Sequence, residues 1–126
     1  MRLALTLLLV AAPAIALAQE TAPKPLTPAE AAKKLEMKVT VEFEVKSTGG
    51  NNNNYLNTHA DYQDAANFTI FIPKVALTKF AAAKIEKPVD YYKGKTIQVT
   101  GTVVLFEKKP QIRVEDPAQI KVVEKK

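Results

Sequence analysis

The sequence predicts a mainly β domain made of short strands, and three observations carry that prediction. From Val39 to Lys46, apolar and polar residues alternate strictly, as they do in a strand with one buried face. Further short apolar runs are separated by Gly, Asn, Asp and Pro, the residue types that form turns. The 126 residues, 47% hydrophobic and 25% charged, suit a single folded globular domain and argue against wholesale disorder.

The composition excludes several kinds of chemistry. The chain has no cysteine, which rules out disulfides, thiolate metal sites, iron–sulfur clusters and a cysteine nucleophile. Its single histidine, His59, provides little for a zinc site or a Ser-His-Asp triad. Together with Asp61, Asp64 and Asp90 it matches no ligand spacing, and a solvated polar loop is the simpler interpretation. We therefore expect a protein that is not an enzyme and that has no metal or cofactor.

Residues 1–18 have the pattern of a secretory signal peptide. Arg2 supplies a positive charge, an apolar run follows, and the Ala-Leu-Ala at 16–18 is the small-x-small pattern that signal peptidase accepts. Cleavage there leaves Gln19 as the first residue, with no stable membrane span after it. The alternative is a retained membrane anchor, which the lack of flanking stop-transfer charges disfavours. We expect a secreted or periplasmic protein.

A proline-rich segment and a helix precede the strands. Residues 19–28 contain three prolines and are predicted to be an extended linker before the folded domain, residues 29–126. The Thr-Pro-Ala-Glu run at 27–30 has the pattern of a helix start, with Thr as the N-cap, Pro at the first helical position and Glu completing a capping box. This short helix is expected to end near Leu35.

Five strands and a short sixth are predicted, with one further helix among them. Lys74 to Lys84 has apolar residues on one helical face, and Pro88 is expected to stop any continuation. Gly101 lies at the middle of the longest strand, where a glycine is typical of a barrel corner. The predicted strands are Val39–Lys46, Tyr55–Thr58, Phe68–Ile72, Lys95–Phe106, Gln111–Glu115 and Ile120–Val123.

The order of these elements favours a small barrel. Five short strands with a single helix between the third and fourth form the five-stranded Greek-key barrel known as the OB-fold. The short N-terminal helix and the short C-terminal strand are additions to it. The central glycine of the longest strand favours this barrel over the alternative, an open α+β sheet.

The sequence also resembles a family at the residues just described. The segments concerned are Val41–Gly49, Tyr55–Asn57, Asp61-Tyr62, Asn67–Ile72, Tyr92–Lys95, Val99–Val103, Pro110–Ile112 and Asp116–Ile120. They are similar to secreted bacterial OB-fold proteins, which occur alone and as modules beside extracellular nucleases. The resemblance implies an OB domain of the nucleic-acid-binding type, with structural rather than catalytic motifs. One departure is Glu36-Met37, which stands where such proteins tend to have glycine before the first strand.

Positive charge is concentrated in one part of the chain. The formal net charge is +5, and residues 74–113 hold nine basic residues against three acidic ones. Residues 19–73 are net negative, and residues 114–126 are neutral. The predicted helix and the last hairpin are therefore expected to hold the surplus, which suits an anionic partner.

The expected ligand-binding face follows from the OB-fold. In this fold ligands lie across strands two and three, flanked by the first and last hairpin loops. Lys108 and Lys109 are in the last loop and Arg113 follows on the outward side of its strand, while Tyr55 and Phe71 offer rings for stacking. We predict a binding module for single-stranded nucleic acid or another polyanion, with these five residues as its candidate site.

The same residues allow other interpretations. Tyr55 can equally serve packing and Phe71 can be covered by the N-terminal helix, while exposed lysines commonly serve solubility. OB barrels also bind oligosaccharides, so the alternative function is a cell-envelope module for a protein or a glycan. Residues 67–69 match a glycosylation sequon, although Asn67 is better explained as a turn cap. We expect a monomer.

Overall fold

The computed structural model describes residues 24–124. The predicted signal peptide lies outside these residues. Leu26 already belongs to the fold, because its N–H donates to Thr40 O at 2.8 Å and its carbonyl accepts from Glu42 N at 2.9 Å. It thereby forms a parallel bridge to Val41 in the first strand. No helix in the described part of the chain is both long and apolar enough to cross a membrane.

The first helix, α1 (Pro28–Ala31), begins as predicted. The Thr27 hydroxyl accepts from Glu30 N at 3.1 Å, and the Glu30 carboxylate accepts from Thr27 N at 2.9 Å, which confirms the capping box. The helix ends after one turn, well before Leu35. The chain then turns at Glu36, whose φ of 66° lies in the left-handed region that favours glycine. This conformation explains why glycine is expected before the first strand of such proteins.

The sheet is made of seven strand segments. The first two follow each other after a break at residues 45–46 and together act as the first barrel strand. At the break, Val45 exchanges backbone hydrogen bonds with Gly94 and Lys95, whereas Lys46 N donates to Asn57 O. The segments are β1 (Lys38–Glu44), β2 (Ser47–Gly49), β3 (Asn54–Asn57), β4 (Thr69–Ile72), β5 (Thr96–Phe106), β6 (Lys109–Arg113) and β7 (Ile120–Val122).

These strands form a curled OB-fold barrel, as predicted. The order of neighbours is β1-β5-β6-β4-β3-β2, with β7 paired to β5. Since β1 and β2 are successive parts of one barrel strand, this order brings the sheet back toward its own beginning. All pairs of named strands are antiparallel except β4 and β6, which run parallel. The prediction of a Greek-key barrel is therefore confirmed over the open α+β sheet.

Gly101 marks the corner at which β5 changes partner. One edge of β5 pairs with β1 through Thr96–Thr102, while the other edge pairs first with β7 and then, from Val103, with β6. A Cβ added at Gly101 would lie 2.5 Å from Ile112 Cγ2, closer than side chains can approach. Glycine is required here because a side chain of β6 crosses over the β5 backbone.

A helical layer closes one end of the barrel. It comprises a short 3₁₀ turn (Lys74–Ala76) and two helices, α2 (Leu77–Ala82) and α3 (Pro88–Tyr92). We call residues 74–95 the helical cap. The predicted helix does not continue to Pro88, since α2 ends at Ala82, but Pro88 also begins α3, a second helix that the sequence analysis does not predict. Phe80 and Tyr92 are buried and meet edge to face, with ring centroids 6.4 Å apart.

The core lies inside the barrel and beneath the helical cap. Six apolar residues that lie within the predicted strands are buried in this core, and they come from four different strands. They are Val41, Phe43, Ile70, Val99, Val103 and Ile112. Ala31 of α1 and Phe80 of α2 complete this core from outside the sheet. The apolar alternation read from the sequence therefore assigns the correct face to these strands.

Candidate functional site

One outward face of the barrel carries the aromatic residues singled out in the sequence. In the register of β3, β4 and β6, Tyr55 lies opposite Phe71, and Phe71 lies opposite Arg113. Directly opposed residues point to the same face of a sheet, so these three side chains form one row across the outside of the barrel. We call Tyr55, Phe71 and Arg113 the aromatic row.

Ring contacts hold the aromatic row together. The Tyr55 and Phe71 rings stack, with centroids 5.5 Å apart and planes inclined by 30°. The Cζ atom of Arg113 lies 5.5 Å from the Phe71 ring centroid, within the range of a cation–π contact. Arg113 Nε also donates to Glu115 in an exposed ion pair. Tyr55 and Phe71 are only half-buried, so the two rings pack together and still reach the surface.

A polar row runs beside the aromatic row on the same face. Asn57 lies opposite Thr69, and Thr69 lies opposite Gln111. The Asn57 side-chain carbonyl accepts from the Thr69 hydroxyl at 3.0 Å. On the next strand, the Ser47 hydroxyl donates to His59 O at 2.7 Å. Asn57 is buried and bonded within the fold, whereas Thr69 and Gln111 are partly exposed and offer uncharged hydrogen-bonding groups next to the stacked rings.

A buried asparagine holds the loop between β3 and β4 against this face. Asn67 is 1% exposed, and its side-chain carbonyl accepts from His59 N at 3.1 Å. Its amide nitrogen donates to Tyr62 O at 3.3 Å and to the Asn57 side chain at 3.2 Å. Asn67 therefore caps the loop as predicted. Because the amide is buried and engaged, it is not available for glycosylation in the folded chain.

A groove of about 690 Å³ lies on this face. It is bounded by β2 and the turn after it, by the loop between β3 and β4, and by the hairpin between β5 and β6. Its lining includes Tyr55 of the aromatic row and all three members of the polar row. The volume is in the range of small-molecule and cofactor sites. Its other lining residues include Ser47, Thr48, Gly49, Gly50, Tyr62, Phe106, Glu107, Lys109 and Pro110.

Two exposed aromatic residues outside the five predicted candidates also line the groove. Tyr62 is 62% exposed and Phe106 is 58% exposed. In the sequence, Tyr62 lies in a polar connection and Phe106 at a strand end, where neither has a periodic pattern. The only sequence signal that could identify them is the residue type, because a large aromatic side chain in a polar segment is not expected to be buried in the core. With Tyr55, they give the groove three aromatic rings.

The hairpin between β5 and β6 presents the two lysines differently. Its two-residue turn has Glu107 at φ 51° and Lys108 at φ 71°, which resembles a type I′ turn that normally favours Asn-Gly. Lys109 lines the groove, and its Nζ donates to Tyr62 O at 3.2 Å. Lys108 is exposed at the tip and is not among the groove residues. The structure therefore brings Lys109 to the groove and leaves Lys108 outside it.

The surplus positive charge does not follow the groove. Six of the nine basic residues in 74–113 belong to the helical cap, and three lie on the hairpin and β6. Near the groove, Lys108, Lys109 and Arg113 are accompanied by Glu107 and Glu115. The expectation that the last hairpin shares the surplus is therefore corrected, because neighbouring carboxylates offset most of its charge.

The acidic residues near the groove serve local turns. The Asp61 carboxylate accepts from Gln63 N at 2.9 Å, and the Asp64 carboxylate accepts from Ala66 N at 2.8 Å. Such bonds are typical of Asx turns. Across residues 24–124, no three His, Asp or Glu side chains are grouped so that they could hold a metal ion.

Comparison with known proteins places the chain by fold. No family model and no curated protein sequence matches it. The OBody AM1L10 bound to hen egg-white lysozyme superposes with a TM-score of 0.56 and 18% identity, over 82% of this chain and 98% of that one. The aspartyl tRNA synthetase from Entamoeba histolytica gives a TM-score of 0.54 and 18% identity, over 83% of this chain.

A second synthetase gives the same result. The asparaginyl-tRNA synthetase from Pyrococcus horikoshii, complexed with asparaginyl-adenylate, matches with a TM-score of 0.55 and 15% identity over 82% of this chain. The matched part is 22% of the Entamoeba synthetase and 23% of the Pyrococcus one. Likeness at this identity concerns the backbone alone. The chain therefore has the OB-fold of one segment of these enzymes.

Proposed function

We propose that this protein is an exported, non-catalytic OB-fold module that binds single-stranded nucleic acid in the groove described above. The observation that carries the proposal is the aromatic row, in which two stacked rings and a guanidinium are aligned across the face where OB-folds bind ligands. Two of the solved structures that share the fold are tRNA synthetases, and this likeness supports a nucleic-acid ligand.

Stacking supplies most of the proposed affinity. Tyr55, Tyr62 and Phe106 line the groove, and Phe71 extends the platform beside Tyr55. A base stacked on an aromatic side chain contributes about 1–3 kcal/mol, and every base has a face that can stack. Three or four such rings suit a short single strand bound with little sequence preference.

Phosphate contacts are expected to be few. Lys109 lies at the groove, Arg113 lies at the end of the aromatic row, and Lys108 lies at the hairpin tip. Each phosphate that a basic side chain neutralises on a single strand adds roughly 0.7 to the steepness with which log K falls with log salt. Only Lys109 lines the groove, and Lys108 and Arg113 lie beyond its lining, so we expect a shallow salt dependence, with a slope of at most about 2 in magnitude even if all three contact phosphates.

Export is supported by the sequence pattern of residues 1–18. A positive residue, an apolar run and a small-x-small cleavage motif together favour removal before Gln19. Intact-mass measurement of the protein recovered from its native envelope tests this part. A mass that begins at Gln19 agrees with it, and a mass that retains Met1 contradicts it.

The binding experiment titrates a fluorescent single-stranded oligonucleotide with the chain from Gln19 onward at two salt concentrations. Tyr55→Ala should weaken binding by about tenfold or more and leave the salt slope nearly unchanged, because stacking releases few counterions. Replacing Lys108, Lys109 and Arg113 by Gln should weaken binding and flatten the slope. If the unmodified protein shows no binding at low salt, nucleic acid is the wrong ligand.

An oligosaccharide is the second candidate. The observation that favours it is the polar row, which places Asn57, Thr69 and Gln111 beside Tyr55 in a groove with little net charge. OB-folds also bind oligosaccharides on this face. A neutral glycan would bind independently of salt, whereas a polyanion would not. Binding of a neutral envelope oligosaccharide that persists at high salt would favour this candidate.

A further inference from the structure

The helical cap holds all of the net positive charge of the described chain. It carries six lysines against two carboxylates, Glu86 and Asp90. The rest of residues 24–124 has nine basic and ten acidic residues, a net charge of −1. The lysines are Lys74, Lys79, Lys84, Lys87, Lys93 and Lys95. The charge is therefore distributed unevenly, and the positively charged surface lies on the layer that closes one end of the barrel.

The lysines of the cap are available to a partner. Five of the six are exposed, and none lies within 4.0 Å of a carboxylate among the described residues. The sixth, Lys95, is only partly exposed. Its Nζ donates to Tyr91 O and lies 4.4 Å from the Tyr91 ring centroid. Because intramolecular ion pairs do not absorb these charges, the cap presents a net charge of +4 to its surroundings.

Apolar and aromatic side chains are exposed among these lysines. Val75 is 76% exposed, the largest value among the exposed large hydrophobic residues, and Tyr91 is 41% exposed. Lysines beside an aliphatic residue and a tyrosine are the combination found at the boundary of lipid headgroups and acyl chains. The other side of the cap is fixed, since Phe80 and Tyr92 are buried in the core. The cationic surface therefore has a set orientation relative to the barrel.

The cap borders the β2–β3 side of the groove, where Lys74 N donates to the Asn53 side chain at 2.9 Å, and lies at the opposite end of β5 from the hairpin side of the groove. Strand β5 starts at Thr96, directly after the cap, and ends at Phe106, the last of its eleven residues, which lines the groove. At about 3.3 Å per residue, the path along this strand is on the order of 30 Å, which is an upper limit for the separation of its ends because the strand turns a corner at Gly101. A partner on the cap would therefore leave the hairpin end of the groove open.

We propose that the helical cap docks the protein onto an anionic phospholipid bilayer. Charge complementarity favours this partner, and the exposed Val75, an aliphatic side chain that does not stack on bases, favours a bilayer surface over a polyanionic strand. Each lysine near an anionic bilayer strengthens binding about fivefold, so several weak contacts sum to reversible attachment. The inference goes beyond the proposed function and does not depend on it, because the groove takes no part.

The test is cosedimentation with phosphatidylcholine vesicles that contain or lack phosphatidylglycerol, using the chain from Gln19 onward, which includes every described residue. We expect sedimentation with the phosphatidylglycerol vesicles at low salt, release as the salt concentration rises, and no sedimentation with phosphatidylcholine alone. Absence of sedimentation with the anionic vesicles at low salt overturns the proposal.

Two charge-matched variants locate the surface. Each removes four exposed lysines by substitution with Gln, and circular dichroism checks that both are folded. The cap variant changes Lys79, Lys84, Lys87 and Lys93, and the control variant changes Lys33, Lys34, Lys38 and Lys121. The cap variant should lose at least about tenfold in vesicle binding, and the control less than about threefold. Equal losses mean that bulk charge, not the cap, is responsible, and overturn the proposal.

Oligonucleotide binding separates this proposal from the previous one. Phe106→Ala should weaken oligonucleotide binding while vesicle binding is unchanged, and the cap variant should do the reverse. If the cap variant loses oligonucleotide binding and keeps vesicle binding, the cap contacts nucleic acid and the bilayer proposal is wrong. If Phe106→Ala has no effect on oligonucleotide binding, the groove proposal alone is weakened.

Discussion

The two ends of this molecule use aromatic residues in opposite ways. At the helical cap, Phe80 and Tyr92 are buried and meet edge to face. At the groove, Tyr62 and Phe106 are more than half exposed, and Tyr55 is half-buried. Burying a large apolar side chain contributes to folding, whereas an exposed ring contributes little until a ligand covers it. The comparison teaches that residue type alone does not separate structural from binding aromatics, and burial does.

The largest effect is expected from removing a buried ring at the cap. Phe80→Ala should lower the free energy of unfolding by about 3–5 kcal/mol, because the substitution loses a fully buried side chain and leaves a cavity against Tyr92. Denaturant unfolding followed by circular dichroism measures this. A change below about 1 kcal/mol would mean that the cap is not part of the cooperative core.

Alkaline pH should destabilise the fold at the same buried pair, Phe80 and Tyr92. Burial, with a further contribution from Tyr91, raises the pKa of Tyr92 from 10.0 to about 12. The folded state therefore favours the neutral phenol, and its stabilising effect is complete below pH 10 and lost as the pH rises through about 12. The lost stability is about 2–3 kcal/mol. Tyr92→Phe, which cannot ionise, should show a smaller loss between these pH values, and an identical loss would contradict the assignment.

Removing an aromatic ring from the groove should affect ligand binding and leave stability nearly unchanged, the opposite of removing one from the cap. Phe106→Ala should change the free energy of unfolding by less than about 0.5 kcal/mol, because the side chain is 58% exposed. It should weaken oligonucleotide binding by about 1–3 kcal/mol. Leu105→Ala is the matched control, since Leu105 is 54% exposed on the same strand and does not line the groove. Equal binding losses in the two variants would argue against a specific stacking role.

The smallest effect concerns the turn that joins β5 and β6. Glu107 and Lys108 both adopt left-handed backbone conformations, which cost non-glycine residues about 1 kcal/mol each. Replacing the pair with Asn-Gly should therefore raise the free energy of unfolding by about 1 kcal/mol. Thermal unfolding measures it. A lower melting temperature in the variant would show that the side chains at the tip stabilise the turn through contacts of their own.

The sequence predicts the barrel well because alternation reports which face of a strand is buried. Val41 and Phe43 follow this pattern, and the capping box at Thr27 is a local signal that needs no tertiary contact. The sequence analysis misses α3 because it treats Pro88 only as a stop signal, whereas proline also fits the first turn of a helix.

The candidate site is predictable only in part. Tyr55, Phe71 and Arg113 share a row because strand register follows from alternation. Tyr62 reaches the groove through a loop held by Asn67, and such a path has no periodic sequence signal. The isolation of Lys108 follows from its turn conformation. Charge along the chain identifies the helical cap but misleads at the last hairpin, where Glu107 and Glu115 offset most of the positive charge.

The bridge between Leu26 and Val41 gives the barrel a protected edge. Thr40 and Glu42 use the side of β1 that faces away from β5 to bond with Leu26. A strand edge without such a cover is a template for a second chain and promotes aggregation. A shortened chain that starts after Leu26 keeps every fully buried core residue but is expected to self-associate through β1. Recombinant versions of this protein should keep the residues just before α1, and purification tags are better placed upstream of them.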